Sequence, residues 1–439
     1  MAMVAAIMGS PLCLAQEGQA RPQADAMPPT PIAPIAPVPA PALPPGVPGS
    51  PPSATAPADK PAGPLISLLL PLNAADFAPA ANAVQQGCDA ALAAATPRGG
   101  SEVIRTDASP ATVREAWNAA AGHGAAVVVG PLTRDAVTAL AGSLLRSPAS
   151  NGPGGQGGNG VNGGGKGGGP VTLALNTVDA VSGGGSGADL PPGFYTFGLP
   201  LEAEARAVAD LAWNENARSM IVVQSRHPLG TRAGAAFAAA WRARGGHIAR
   251  IETFQGGAEL EAMRARFTRD HFSDASRERP DAVFLAADAD EARLARPYLG
   301  NSLPVYATSQ VNDGQRNGVA NLDLGGVRFV DMPWLLQPDH PAVMVYPRPP
   351  ESMGADLQRL YALGIDACRL ATLFAAGPRP GSRIALDGVT GALSVRVDDG
   401  RRDLASHTVT REPLAASFVS SAGVAVDGQG GDTGAPRAR

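Results

Sequence analysis

Short apolar runs rich in β-branched residues recur along this chain, and each is followed by a stretch whose apolar positions fall at helical spacing. Ala125-Ala-Val-Val-Val129 is the clearest of them, because it has no polar alternation. A strand that is apolar on both sides must be covered on both faces, which is the situation of a parallel sheet held between helices. Right-handed βαβ crossovers then connect the strands. Gly130-Pro131 ends this run, since Gly reaches backbone angles closed to other residues and Pro cannot donate to a ladder. Thr133 is placed to cap the helix that follows, with Asp135 in its first turn. The loop between lies at the carboxyl end of a strand, where open α/β sheets put their ligands.

The same unit repeats on either side. Leu65–Leu72 reads as a strand and Ala75–Ala94 as a helix, followed by strand Val103–Asp107, helix Ala111–Ala121, and strand Val171–Asn176. Gly193–Pro200 reads as a crossing segment, because a second series begins after it. That series has an amphipathic helix at Leu201–Trp213, with Leu201, Ala205, Val208 and Ala212 on one stripe. Strands follow at Met220–Gln224, His247–Phe254, Asp281–Ala287 and Leu303–Thr308, with a helix across Leu260–Phe267 and another from Asp288. Gly326–Trp334 is a further crossing strand and Leu357–Phe374 a long helix. Gly388–Val397 is expected to pair with a returning strand across the Asp398-Asp-Gly400 turn. The fold class is therefore α/β, with two Rossmann-like lobes of parallel sheet joined by several crossovers. The expected organisation is a signal-like segment at 1–17 and a Pro/Ala-rich tether at 18–63. Lobe 1 spans 64–198 plus about 328–378, lobe 2 spans 199–327 plus about 379–418, and a polar, Gly-rich disordered tail occupies 419–439.

Composition enters where it limits function. Much of the Gly and Pro (53 and 42 of 439 residues) falls in the tether and the insertion Asn151–Gly169. That insertion contains a match to the dinucleotide fingerprint, Gly155–Gly160, and a P-loop-like stretch ending at Lys166. Neither follows a strand, and Gly167 stands where a P-loop needs Ser or Thr, so both are chance matches in a Gly-rich run. A net charge of −4 and 5% aromatic residues leave no footprint for nucleic acid. The six His residues are scattered, no Cys/His cluster has metal spacing, and no nucleophile elbow is present. No metal, cofactor or catalytic residue is assigned, and carboxylates such as Glu202 and Asp288 are expected on solvated helix faces. Met1–Ala15 is apolar and resembles the core of an export signal, although it has no basic start. With Cys13 in that segment, Cys88 and Cys368 are the one available pair. Both fall in helices, and two buried free thiols is the simpler reading.

Two α/β lobes with several crossings are the layout of type I periplasmic binding proteins. The sequence resembles, more narrowly, the LppC/LpoA family of penicillin-binding protein activators over about Pro64–Ala415. The resemblance rests on Ile66–Leu72, Val127-Val-Val-Gly-Pro131, Leu173-Ala-Leu-Asn176, Phe194-Tyr-Thr-Phe-Gly198 and Ala282-Val-Phe-Leu-Ala-Ala-Asp288. Pro304–Ser309, Gly326–Trp334, Tyr361-Ala-Leu-Gly-Ile-Asp-Ala367 and Gly388-Val-Thr-Gly391 add to it. It implies a non-enzymatic cell-envelope protein, in the periplasm or anchored by lipid to the outer membrane, whose partner is a class A penicillin-binding protein. The alternative is a periplasmic solute-binding protein holding an amino acid or similar small molecule between its lobes. In that branch of the fold, Asn73, Thr133 and Asn176 would face the ligand from lobe 1, and Tyr195, Ser225, Asp288 and Ser309 from lobe 2.

Overall fold

The computed structural model describes residues 63–95, 100–146, 169–179, 189–264, 279–315, 321–350, 352–419 and 423–427. All belong to the unit spanning Ala58–Arg439. The signal-like segment, Cys13, almost all of the tether, most of the Gly-rich insertion and the end of the expected tail lie outside the described residues.

The first sheet is built from β1 (Leu65–Leu70), β2 (Gly100–Arg105), β3 (Val127–Val129), β4 (Val171–Ala174) and β5 (Phe194–Thr196), in the order β2-β1-β3-β4-β5. Every pairing in it is parallel. Helices α1 (Ala78–Ala94), α2 (Val113–Gly122) and α3 (Arg134–Arg146) connect these strands. One face packs Leu68, Leu70, Val127 and Val129 with α1, and the other packs Leu69 and Val128 with α2 and α3. Burial on both sides explains the absence of alternation in these runs, and each fully buried Leu or Val contributes roughly 1.5–3 kcal/mol.

The second sheet contains β6 (Ser219–Ser225), β7 (His247–Phe254), β8 (Ala282–Ala286), β9 (Val305–Ala307), β10 (Val327–Asp331), β14 (Leu414–Val419) and β15 (Gly423–Val426), in the order β15-β14-β10-β9-β8-β6-β7. Its helices include α4 (Leu201–Asn214), α5 (Pro228–Ala243), α6 (Gly257–Met263) and α7 (Ala289–Leu299). The strands from β7 to β10 are parallel, whereas β14 and β15 are antiparallel additions at one edge.

Four expectations are corrected here. Strand β10 pairs with β9 and so belongs to lobe 2, not lobe 1. A three-stranded antiparallel sheet, β11 (Arg383–Asp387), β12 (Ala392–Arg396) and β13 (Thr410–Glu412), occupies much of the segment expected in lobe 2. Its Val389, Leu393, Val395 and Val409 bury themselves in the lobe 1 core instead. β12 does not form a tight hairpin at Asp398-Asp-Gly400: the chain makes a longer excursion along β5, with Thr196 N–H donating to His407 C=O at 2.9 Å, before returning as β13. Finally, Gly423–Val426 is not disordered but pairs with β14, because Val424 and Val426 supply the apolar alternation of an edge strand.

Lobe 1 is completed by a helix that arrives only after β10 of lobe 2. After two short helices, α8 (Pro333–Leu336) and α9 (Pro341–Met344), α10 (Ala355–Ala375) lies against α1, and both α1 and α10 use Gly at the crossing. A Cβ on Gly87 would overlap the Tyr361 carbonyl, and one on Gly364 would overlap the Val84 carbonyl. That backbone approach brings the Cα atoms of Cys88 and Cys368 to 5.2 Å, and the two sulfurs form a disulfide. The expectation of two free thiols is thus corrected, since helix–helix contact is a long-range property that local spacing does not reveal.

Replacing both cysteines with Ala is expected to lower the unfolding free energy by about 2–5 kcal/mol, read by urea denaturation. An unchanged midpoint would show that the Gly-mediated packing alone holds the two helices.

Candidate functional site

The lobes meet where the carboxyl ends of both sheets approach, with the chain passing between them after β5, after β10 and after β13. The polar side chains at this junction form a continuous set. Arg359, on the stripe of α10 that otherwise buries Leu363 and Leu370, reaches from lobe 1 into lobe 2. Its Nη2 donates to Asp331 Oδ2 at 2.8 Å, Asn312 C=O at 2.7 Å and Ser309 C=O at 2.9 Å, while Nη1 donates to Asp356 at 2.8 Å. Asp331, at the end of β10, also accepts from Asn312 Nδ2 at 2.9 Å and from the Met332 amide at 2.8 Å. Burial opposes the Arg359 charge, but Asp331 first, then Glu204 and Asp356, hold its pKa above the ordinary arginine value.

A second buried pair lies beside it. Glu204 in the first turn of α4 accepts from Arg411 of β13 at 3.0 Å and from Ser309 Oγ at 2.6 Å. Both Glu204 and Arg411 side chains are 6% exposed, so water cannot substitute for either partner. Arg411 also donates to Thr390 C=O at 3.2 Å. Thr390 in turn donates from its amide and hydroxyl to Asp366 of α10, at 2.8 and 2.7 Å. Burial pushes the Asp366 carboxyl above its ordinary range, against Thr390 and Arg369.

Nearer the surface, Glu202 of α4 accepts from Arg232 of α5 at 2.8 Å and approaches Arg134, in the first turn of α3 across the junction, at 4.0 Å. Burial disfavours the Glu202 charge, but Arg232, the Glu202 amide and Arg134 outweigh it and hold the carboxyl below the usual glutamate range.

The residues expected to face a ligand are dispersed through this framework. Tyr195 is a core residue of lobe 1: it stacks on Phe374 at 4.5 Å between centroids, and its hydroxyl accepts from the Asp398 amide at 2.7 Å. Burial pushes its phenol up to about 12. Asn176 holds two turns together, donating to Leu132 C=O at 3.0 Å and accepting from the Thr177 amide at 2.9 Å. Ser309 is consumed by Glu204, and Asp288 forms a capping box on α7 with Glu291. Asn73 is exposed and bonded to Arg105 of β2. Thr133 does not make the expected cap bond, and its Oγ1, like Ser225 Oγ, is buried without a partner among the described residues. Asn73 lines an open groove in lobe 1, whereas Asp288 lines a different recess, of about 40 Å³, in lobe 2. Among the described residues, no cluster of three or more His, Cys, Asp or Glu is placed to hold a metal.

Arg359, Asp331, Glu204 and Arg411 were not singled out by sequence reading. A usable signal existed for α10, where Arg359 and Asp366 share the apolar stripe with Leu363 and Leu370. Two charges on a buried face require partners from elsewhere in the fold.

A two-lobed α/β body with three crossings between mostly parallel sheets is a type I periplasmic-binding-protein-like module. The family model described as "LppC putative lipoprotein" matches residues 165–404, more than half the sequence, and the chain belongs to the LppC family. Its relatives include "Penicillin-binding protein activator LpoA" of Pantoea ananatis, 26% identical over 343 residues, covering 70% of this chain and 46% of that protein. The protein of that name from Edwardsiella ictaluri is 30% identical over 257 residues, covering 51% and 36%. The chain therefore spans under half the length of these curated relatives. The LpoA C-domain from Haemophilus influenzae, described as "a regulator of PBP1A", superposes with a TM-score of 0.59 at 23% identity, over 82% of this chain and 99% of that one. A structure from Chromobacterium violaceum, described as "a putative branched-chain amino acid ABC transporter", superposes with a TM-score of 0.59 at 33% identity, over 81% and 99%.

Removing one member of the Arg359–Asp331 pair, by Arg359→Met or Asp331→Asn, should cost about 3–5 kcal/mol in urea unfolding, because the remaining ion stays buried. Glu202→Gln should behave differently. A carboxyl held below its ordinary 4.5 stabilises the fold above that value, and the contribution is lost as pH falls through the lower folded value. The stability difference between wild type and Glu202→Gln should accordingly be constant above about pH 6 and shrink below pH 4.5. A difference that grows in acid would contradict the assigned ion pairs.

Proposed function

We propose that this chain is a non-enzymatic regulator of the cell envelope that binds and stimulates a class A penicillin-binding protein, a peptidoglycan synthase. It acts in the periplasm, anchored to the outer membrane by lipid. The observation that carries the reading is the internal use of the junction: Tyr195, Asn176, Ser309, Glu204 and Arg359 each have protein partners where a solute receptor needs free groups. A cleft so committed leaves the outer surface of the lobes as the means of action. The names of the curated relatives, penicillin-binding protein activators, support the same partner.

A second reading, capture of an amino acid or similar solute between the lobes, has one specific observation in its favour. It is the 33% identity to the Chromobacterium violaceum structure, nearly all of which the chain covers. Among the described residues, Thr133 Oγ1 and Ser225 Oγ are buried hydroxyls without a hydrogen bond and could serve such a ligand.

Both readings are tested with purified chain. In a glycan-strand polymerisation assay, adding it to a class A synthase is expected to raise the rate above that of the synthase alone, with direct contact seen by cross-linking. Calorimetric titration with branched-chain and other amino acids is expected to give no saturable heat. Saturable amino-acid binding together with an unchanged polymerisation rate would replace the regulator reading with the receptor one.

A further inference from the structure

Among the described residues, a groove of about 310 Å³ opens at the carboxyl ends of β1 and β2, lined by Asn73, Arg105, Asp107, Glu115, Ala116 and Ala119 with neighbouring residues. Its lining comes from lobe 1 alone and includes no member of the Arg359–Asp331 or Glu204–Arg411 pairs. We propose that this groove binds a short zwitterionic peptide, with free α-amino and α-carboxylate groups and small side chains.

The charges of the groove carry the inference. Arg105 donates from Nε to Asn73 Oδ1 at 3.3 Å, and Asn73 Nδ2 returns to the Arg105 carbonyl at 3.5 Å. This clamp orients the guanidinium while leaving both Nη groups without a partner among the described residues. Glu115, from α2, likewise has no hydrogen bond or ion pair among them. Asp107 is different: it accepts from Thr112 Oγ1 at 2.7 Å and the Ser109 amide at 3.0 Å, and these bonds hold its carboxyl below the usual range. It is part of the wall. An uncommitted guanidinium and an uncommitted carboxylate thus line one groove without pairing to each other.

A zwitterion satisfies both groups at once. The guanidinium fork takes a carboxylate through two parallel N–H bonds, and Glu115 takes an ammonium. The volume lies at the lower end of small-ligand sites, which run from about 300 to 1,000 Å³, and exceeds the needs of a single amino acid. Ala116 and Ala119 present only methyl groups, which suits a ligand with side chains of alanine size. The proposal goes beyond the regulator reading and can be tested without a synthase.

The test is calorimetric titration of the full chain with tri-alanine, free alanine and N-acetyl-tri-alanine amide. Tri-alanine is expected to saturate, and neither free alanine nor the doubly capped peptide is expected to bind. Arg105→Ala and Glu115→Ala should each weaken tri-alanine binding about tenfold or more, the scale of one charge-assisted hydrogen bond. Because both side chains are exposed, neither substitution should shift the thermal unfolding midpoint, which excludes misfolding as the cause. Absence of saturation by tri-alanine at millimolar concentration would overturn the proposal. Equal binding of the capped peptide, equal or tighter binding of free alanine, or binding that survives both substitutions would do so as well. Synthase stimulation, measured separately, is untouched by any of these outcomes.

Discussion

The contact between α1 and α10 governs how the rest of the chain is arranged. The face of the first sheet that carries Leu68, Leu70, Val127 and Val129 is covered partly by α1 and partly by a helix that appears in sequence only after most of the second sheet. Gly87 and Gly364 let the two backbones approach more closely than any side chain would permit, and the Cys88–Cys368 bond closes a span of 280 residues at that point. Closing so long a loop has an entropic cost that grows only slowly with length, whereas the contacts it secures are numerous and local to the crossing. Lobe 1 is therefore not a unit that can be finished before lobe 2 is made. A covalent link of this kind persists in an oxidising compartment, consistent with a cell-envelope protein.

Placement of α10 then dictates the electrostatics of the junction. Once the helix is docked on α1, Arg359 projects into the end of the second sheet, and an arginine there is tolerable only with Asp331 and the carbonyls of Ser309 and Asn312 around it. Glu204 and Arg411 stand in the same relation: one comes from the first helix of lobe 2, the other from the small sheet packed on lobe 1. Two ions buried together are tolerated, whereas either alone is strongly unfavourable. Any displacement of one lobe that separated these pairs would expose that penalty. The buried network therefore fixes where the lobes meet, in a way that apolar packing, which is indifferent to small slips, does not.

How much of this was legible in the sequence follows from the range of each interaction. The strands at Leu65, Val127, Val171, Met220 and Ala282 stand out because burial on both faces leaves near-continuous apolar runs, interrupted only by a buried Ser67 and Thr172. The long helix at 355–375 was visible from its spacing. Misassignments arose where the deciding partner lay far away. β10 reads like any crossing strand until its neighbour β9 is known, and β11 (Arg383–Asp387), exposed on alternate residues, has too little apolar content to stand out. At the site, Asn176 was correctly placed at a strand end, but nothing local indicated that it would bond the Leu132 carbonyl. Tyr195 reads locally as a ligand-facing residue, and its stacking on Phe374 depends on α10 being in place.

The fate of these residues bears on what the fold is used for. A two-lobed receptor needs polar groups at its strand ends that are free to exchange water for ligand, and lobes free to move as they do so. Here Ser309 is held by Glu204, Glu204 by Arg411, and Arg359 by Asp331, so the same positions have become fastenings between the lobes. A carboxylate entering the junction would have to displace Glu202 from between Arg232 and Arg134, exchanging one anion for another with little net gain. Arg105 and Glu115, by contrast, line a groove formed by lobe 1 residues and are not paired with each other. A binding-protein scaffold whose lobes are pinned together by buried ion pairs is held in one relative arrangement, because parting the lobes would leave each ion buried or half-buried without its partner.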